Sequence, residues 1–423
     1  MHLSNYILFS AYLFVPLHPN RIVNGNHYRI LIMRYLIKLC SLLLAIMLVG
    51  CVSKTRPTET NAGVACDTLR YAKGFTVRTL DNGVRLVDVM DPQEWQRMVG
   101  DTLDADEERM PVSYHFALVP KGDAADVPEG YVRVEVPVER TLVMTMLQLA
   151  DFTALDAHDV VKGITGTKNL FNADIRQRIN DGRMVKIGME GNFDTELILA
   201  AQPEVIFISP FKRGGYDAIK ETGVTLIPHL GYKELTPLGQ AEWVKFVGLF
   251  IGKEYEADSV FNGIEQRYNA LKLKVDSLQF TDRPTVFSGE MHGGNWYAVG
   301  GKNTLAQIFR DAGARYVIDS DDTGGVHIEF EQMYALAANA DYWRILNSFD
   351  GDFSYEALKA SEPRNELFKA FREHRVIYCN MKQTPYYEKS PVMPDVVLSD
   401  LVAVFHPELM PSDYEPTFYT LLR

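Results

Sequence analysis

Residues 253–278, KEYEADSVFNGIEQRYNALKLKVDSL, decide how this chain is organised. Apolar side chains at Ala257, Val260, Phe261, Ile264, Tyr268, Leu271 and Val275 recur at helical spacing, and no proline interrupts them. About 24 residues at ~1.5 Å each make a rod of roughly 36 Å, long enough to run between two folded units. Immediately upstream, Thr236-Pro237 supplies an N-cap and a proline at the first helical position. It starts a separate helix that Gly252 ends.

On either side of the rod, strand and helix patterns alternate. Before it, the strand-like runs are Thr141–Met144, Val160–Ile164, Val185–Gly188, Val205–Ile208 and Val224–Pro228. The helical stretches between them are Leu147–Asp156, Ile175–Asp181, Asp194–Ala201 and Tyr216–Thr222. After it come strands at Thr285–Ser288, Trp296–Val299, Ala314–Ile318, Tyr342–Leu346 and Val376–Cys379. Helices are expected at Asn303–Ala312, Glu331–Ala338, from Phe353, at Glu366–Phe371 and at Pro394–Phe405. Alternation of this kind implies mostly parallel sheets covered on both faces.

Residues 71–140 read differently, as short alternating runs at 75–78, 84–89, 115–119 and 131–136 with turns at Asp81-Asn82-Gly83 and Lys121-Gly122-Asp123. The expected fold is α/β: two Rossmann-like lobes with mostly parallel sheets joined by one long rigid helix, plus an N-terminal β-rich extension. The N-terminal lobe spans 71–252 and includes the extension 71–140, read as an added edge or cap. The linker helix is 253–278 and the C-terminal lobe 279–423.

Composition excludes several classes. Of 423 residues, 47% are hydrophobic and 23% charged, which argues against a disordered chain. With 43 Lys plus Arg against 55 Asp plus Glu, the net charge of −12 does not attract phosphate backbones, and nucleic acid is not an expected partner. Residues 1–50 carry Arg21, Arg29, Arg34 and Lys38 but no acid, so the remaining 39 basic and 55 acidic residues give −16.

Within that basic segment, Met33-Arg34-Tyr35-Leu36-Ile37-Lys38 precedes an apolar run from Leu39 to Val49, too short to span a bilayer. Leu48-Val49-Gly50-Cys51 resembles the bacterial lipobox, whose cysteine becomes the lipidated first residue. Residues 1–50 therefore read as an over-called start plus a signal peptide, and 51–70 as a lipidated tether anchored through Cys51. Of the four cysteines only Cys66 and Cys379 lie beyond these, so no disulfide framework exists, although these two could pair.

Catalytic and metal motifs are missing. There is no Cys-x-x-Cys, no His-Glu-x-x-His and no Gly-x-Ser-x-Gly elbow. Gly300-Gly301-Lys302 fails as a phosphate loop, because Trp296 and Asn303 stand where Gly and Ser or Thr are needed.

Asp194-Thr195-Glu196-Leu197-Ile198-Leu199-Ala200-Ala201-Gln202-Pro203-Glu204-Val205-Ile206-Phe207 resembles the helix-then-strand phrase of the substrate-binding lipoproteins of ABC importers for iron-siderophores, haem and cobalamin. Gly300-Gly301-Lys302-Asn303-Thr304 to Asp311-Ala312-Gly313-Ala314, and Ala340-Asp341-Tyr342-Trp343, are similar to the second-lobe counterparts. The resemblance runs from Arg140 to the C-terminus. It implies a monomeric, non-enzymatic carrier with no intrinsic cofactor. An iron or cobalt chelate would be held in a cleft between lobes that close only slightly, then delivered to a permease dimer with its ATPase. It also implies a lipid anchor on the periplasmic side of the envelope, on the inner membrane or at the cell surface. A bare metal-ion carrier, or a secreted two-lobe enzyme acting on a glycan or tetrapyrrole, are the alternatives.

Two residues resemble the family's permease-docking carboxylates: Glu196, seven residues before Pro203, and Glu331, nine before Ala340. Each opens a helix in its own lobe, where a carboxylate also suits the helix dipole. Ligands of open α/β sheets sit beyond the carboxyl ends of the strands. That places Met144, Gln148, Asn169, Phe171, Phe211, Arg213 and Tyr216 in the first lobe's wall of the cleft. In the second lobe it places Glu290, Met291, His292, Trp296, Tyr297, Met381, Tyr386 and Tyr387. Aromatics would stack on a planar ligand, Arg would pair with anionic groups, and His292 could reach the metal of a chelate.

Overall fold

The computed structural model describes residues 65–66, 69–94, 113–166, 168–189, 192–210 and 216–423. The signal segment with Cys51, the acidic stretch 101–109, and Phe211 and Arg213 lie outside the described residues.

The first sheet contains Ala65–Cys66 (β1), Phe75–Thr79 (β2), Arg85–Met90 (β3), Ser113–Pro120 (β4) and Val132–Val136 (β5) in that order. It is antiparallel except between β4 and β5. Because the strands pair with one another and not with the parallel sheet, the extension is a cap and not an edge.

The parallel sheet of the first lobe has the order β12-β11-β6-β7-β8. Its strands are Thr141–Val143 (β6), Val161–Ile164 (β7), Val185–Lys186 (β8), Val205–Ile208 (β11) and Thr225–Pro228 (β12). The single strand expected at 185–188 is divided. Gly188 turns the chain at φ +92°, and Gly188–Met189 (β9) pairs back on Asn192–Phe193 (β10). The helices are Met146–Ala154 (α1), Ala173–Asn180 (α2), Thr195–Ala200 (α3), Tyr216–Lys220 (α4) and Pro237–Ile251 (α5).

Helix α5 is apolar nearly all round, as a helix enclosed on every side must be. The cap covers one side, with Phe75 edge-on to Trp243 at 4.9 Å and to Phe246 at 5.1 Å. The parallel sheet covers the other, with Phe207 edge-on to Phe250 at 5.5 Å. Two buried carboxylates fasten the cap's entry. Glu242 accepts hydrogen bonds from the backbone N–H of Arg70, Tyr71 and Ala72, and Glu234 accepts from Lys73, Gly74 and the Trp243 indole.

Gly252 ends α5 in the left-handed conformation, φ 69°, and the expected rod follows as Glu254–Asp276 (α6). Its predicted stripe is buried at Ala257, Phe261, Ile264, Tyr268 and Val275. The rod is fastened to both lobes. Lys245 of α5 pairs with Asp258 at 3.0 Å and Arg70 with Glu265 at 2.6 Å. Farther along, Tyr268 donates to Asp311 at 2.7 Å and Arg267 pairs with Asp395 at 2.6 Å, both in the second lobe.

That lobe's main sheet has the order β16-β13-β18-β19-β20. It consists of Thr285–Ser288 (β13), Arg315–Tyr316 (β16), Tyr342–Asn347 (β18), Val376–Asn380 (β19) and Thr420–Leu421 (β20), parallel but for the last. A three-stranded antiparallel sheet of Glu290–His292 (β14), Asn295–Val299 (β15) and Gly325–Ile328 (β17) lies beside it. The helices are Thr304–Asp311 (α7), Phe330–Ala337 (α8), Tyr355–Ser361 (α9), Lys369–Arg372 (α10), Tyr386–Lys389 (α11) and Pro394–Phe405 (α12).

Two expectations change here. The strand at 314–318 shortens to two paired residues, and the helix at 366–371 splits into a 3-10 turn, Pro363–Leu367, and α10. The Gly300-Gly301 pair serves backbone crossing: a Cβ on either would lie 2.2–2.4 Å from the carbonyl oxygens of Asp322 and Ser320. Cys379 is a free, buried thiol, pushed up to about 12 by burial and so held in its unreactive protonated form.

Candidate functional site

The hairpin 288–299 builds one wall of the site. Gly289, at φ +96°, has no room for a side chain, because a Cβ would sit 1.8 Å from the Tyr297 carbonyl oxygen. This close crossing turns the chain from the core strand β13 into β14. Alternation then sorts the five residues that sequence placed together. Glu290, His292 and Tyr297 share one face and line a cavity of about 630 Å³. Met291 and its register partner Trp296 face the core. Trp296 is fully buried, donates its indole N–H to the Ser288 carbonyl at 2.9 Å, and packs on Trp343 and Phe368. Both are packing residues and leave the cleft.

The same cavity takes in Asn347 at the end of β18, Ser348 and Phe349 after it, and Met381 after β19. All are at the carboxyl ends of parallel strands, where side chains beyond the sheet converge. A hydrogen-bond chain runs along one side: Tyr378 donates to Asn347 Oδ1 at 2.9 Å, and Asn347 Nδ2 donates to Glu290 at 3.0 Å. Burial raises the Glu290 carboxyl above its ordinary value, and the Asn347 hydrogen bond only partly opposes this.

Arg344, on β18, also lines the cavity and was not among the residues sequence singled out. Its side chain is 6% exposed, and Nε and Nη2 both donate to the Tyr419 hydroxyl. Among the described residues no carboxylate forms an ion pair with it. A signal was available: a lone charge inside the otherwise apolar strand Tyr342-Trp343-Arg344-Ile345-Leu346 needs a reason to be there.

Across the seam, the first lobe contributes less than expected. Gln148 is buried and spent, since its Oε1 accepts from Met144 and Thr145 and its Nε2 donates to Ser209 at 2.9 Å. The sequence signal for a polar cleft residue was a capping box on α1. Met144 packs in a core cluster with Leu142, Ile187 and Ile206. Tyr216 donates to the Ser209 carbonyl at 2.9 Å and tilts against Phe193. Asn169 takes the left-handed conformation, φ 66°, which shapes the loop ahead of Phe171.

That loop meets the second lobe directly. The Glu388 carboxylate, itself buried, accepts from the backbone N–H of Phe171 at 2.7 Å and of Asn172 at 2.9 Å. Asn172 is the N-cap of α2, so a carboxylate of one lobe sits at the positive end of a helix in the other. Tyr386 and the half-exposed Tyr387 precede it on α11, which packs against α1. Nearby, Asp350 pairs with Lys382, whose hydrogen bond, with the charges of Lys382 and Lys168, holds its carboxyl below the usual range.

Glu196 and Glu331 each occupy the first turn of their helix, α3 and α8, and both are exposed. They differ in surroundings. Glu331 pairs with Arg364 at 3.1 Å, and that guanidinium also lies over the Phe330 ring. Leu197 and Leu199 follow Glu196, and Tyr334 and Leu336 follow Glu331, all with substantial exposure.

The family described as "Periplasmic binding protein" matches residues 143–382. An uncharacterized lipoprotein of Methanocaldococcus jannaschii is 27% identical over 395 residues, covering 88% of this chain and 92% of its own. Among solved structures, a periplasmic heme binding protein from Pseudomonas aeruginosa superposes with a TM-score of 0.52 at 20% identity, covering 66% of this chain and 96% of its own. The TroA-like periplasmic binding protein FepB from Veillonella parvula gives 0.52 at 16% identity, covering 69% and 96%. The molybdate-binding protein MolA of Haemophilus influenzae, solved with molybdate, gives 0.51 at 13%, covering 65% and 88%. At these identities the structures establish a shared fold, and the family match over more than half of the sequence establishes membership: the chain belongs to the periplasmic binding protein family.

Proposed function

We propose that this protein is the substrate-binding component of an ABC importer, capturing a metal chelate such as a ferric siderophore, haem or cobalamin and delivering it to a permease dimer with its ATPase. The observation that carries this reading is the cavity of about 630 Å³ at the carboxyl ends of the second lobe's strands, within the size range of small-molecule sites. Tyr297 and Phe349 give its lining an aromatic character that suits a planar or aromatic ligand. Arg344 on its wall disfavours a bare cation, which weighs against a simple metal-ion carrier.

Glu196 and Glu331 are the proposed permease contacts, exposed in the first turn of a helix in each lobe. Membrane attachment through a lipidated Cys51, on the periplasmic side of the envelope, accords with the lipoprotein name of the archaeal relative.

The reading is tested by titrating purified protein with haem, cobalamin and hydroxamate and catecholate iron complexes while following tryptophan fluorescence. Saturable quenching by one of them, without chemical change of the ligand, supports it. Turnover of the bound compound, or no binding by any, removes it.

A further inference from the structure

Arg344 is a buried cation on the cavity wall with which no carboxylate among the described residues forms an ion pair. Its guanidinium is buried, and its hydrogen bonds to the protein go to a neutral phenol, Tyr419, from Nε and Nη2. Nη1 donates to none of the described residues, and the residue lines the cavity. A guanidinium cannot shed its proton at any ordinary pH, so it must find a counter-charge or bear the cost of burial. The acid that lines the cavity, Glu290, forms no ion pair with it; burial raises its carboxyl, and the Asn347 hydrogen bond and the charges of His292 and Arg344 only partly oppose this.

The cavity lining also combines polar and apolar groups. Arg344, Glu290 and Asn347 supply the polar part, and Leu346, Phe349 and Met381 the apolar part.

Resting on the chelate-carrier reading, we propose that this cavity recognises a ligand bearing a free carboxylate, which completes the partnership of Arg344 through the Nη1 and Nη2 edge. The apolar body of the ligand lies toward Phe349 and Met381. Among metal chelates this selects those with unmasked carboxylates, such as haem with its two propionates or a ferric citrate complex. It selects against chelates whose acidic groups are all consumed by the metal or amidated, such as ferrioxamine or cyanocobalamin. The planar fork of a guanidinium gives a carboxylate two parallel hydrogen bonds, which a lysine cannot supply.

The test compares haem, haem dimethyl ester, ferric citrate, ferrioxamine, cyanocobalamin and molybdate on the full mature protein and on Arg344→Gln and Arg344→Lys. The expected result is that wild type prefers haem or ferric citrate. Arg344→Gln should lose roughly ten- to hundred-fold in affinity and Arg344→Lys less, as removal of a charge-assisted hydrogen bond implies. The esterified haem applies the same test from the ligand's side, so a variant that fails to fold does not leave the question open: wild type should bind the ester more weakly than the acid by a similar factor. Equal affinity of wild type for ester and acid, or preference for ferrioxamine or cyanocobalamin with Arg344→Gln unaffected, overturns the inference while the carrier reading stands. Capture of molybdate with none of the chelates bound overturns both.

Discussion

Glu388 is the residue whose loss should be felt furthest, because it belongs to one lobe and serves the other. Its two oxygens accept from the Phe171 and Asn172 amides at 2.7 and 2.9 Å, and the side chain is sealed from water. Replacing it by alanine removes two charge-assisted hydrogen bonds and strands two partly buried donors. The cost should be about 3–5 kcal/mol, the upper end requiring that no water enters the gap.

For a compact unit running from Gly63 to Arg423, an unfolding entropy of ~2.1 cal/mol/K per residue makes that loss a fall of roughly 4–7 °C in Tm. Glu388→Gln keeps one acceptor but turns an N–H toward the other donor, so it should lie between wild type and Glu388→Ala. Calorimetry gives the shift, and amide exchange read at single residues gives the location. Phe171 and Asn172 should exchange slowly in wild type and quickly in Glu388→Ala, while β11 and β18 keep their protection. A Tm within ~1 °C of wild type, with unchanged exchange at 171 and 172, would refute the inter-lobe clamp.

Other predictions concern the termini, the docking face and the cavity. Reversing Glu196 and Glu331 to Lys together should abolish uptake in cells while leaving affinity for the chelate unchanged; normal uptake by the double variant counts against their docking role. Mass spectrometry of the mature protein should find an N-terminus at Cys51 carrying acyl chains, and Cys51→Ser should move the protein from the membrane to the soluble fraction. Retention of an unmodified N-terminus upstream of Cys51 would contradict this.

A pH prediction follows from Glu290, whose carboxyl burial raises above its ordinary value near 4.5. Below that value the group is protonated in folded and unfolded chains alike. As pH rises from there through the raised folded value, the unfolded chain ionises first and stability falls. Glu290→Gln should flatten that part of the curve, as measured by the urea midpoint between pH 4 and 7. A wild-type midpoint that rises over this range more steeply than in Glu290→Gln would reverse the sign and reject the assignment.

The elements that carry the fold were legible because local signals agreed with tertiary demands. The stripe from Ala257 to Val275, the Thr236-Pro237 start and the Gly252 stop each have one good physical solution, and the structure adopts it. Position along a strand was legible as well, which is why Glu290, His292, Tyr297 and Met381 gather at one cavity. Facing was harder. Met291 and Trp296 alternate away from the cavity because Gly289 sets the register of the hairpin, and that register depends on a close approach to Tyr297 that no short window of sequence displays. Gln148 misled for a related reason, since a polar side chain just past a strand end can equally close the first turn of a helix. Arg344 and Glu388 gain their meaning only from distant partners, Tyr419 for one and the Phe171 and Asn172 amides for the other.

The central claim is that one chelate molecule is held by one chain and handed on unaltered. Native mass spectrometry of the mature protein, after exposure to an equimolar mixture of haem, ferric citrate, ferrioxamine and cyanocobalamin, tests it most directly. The account predicts a single adduct per chain whose ligand is released at its original mass. An adduct-free spectrum, or a ligand released with altered mass, would contradict it.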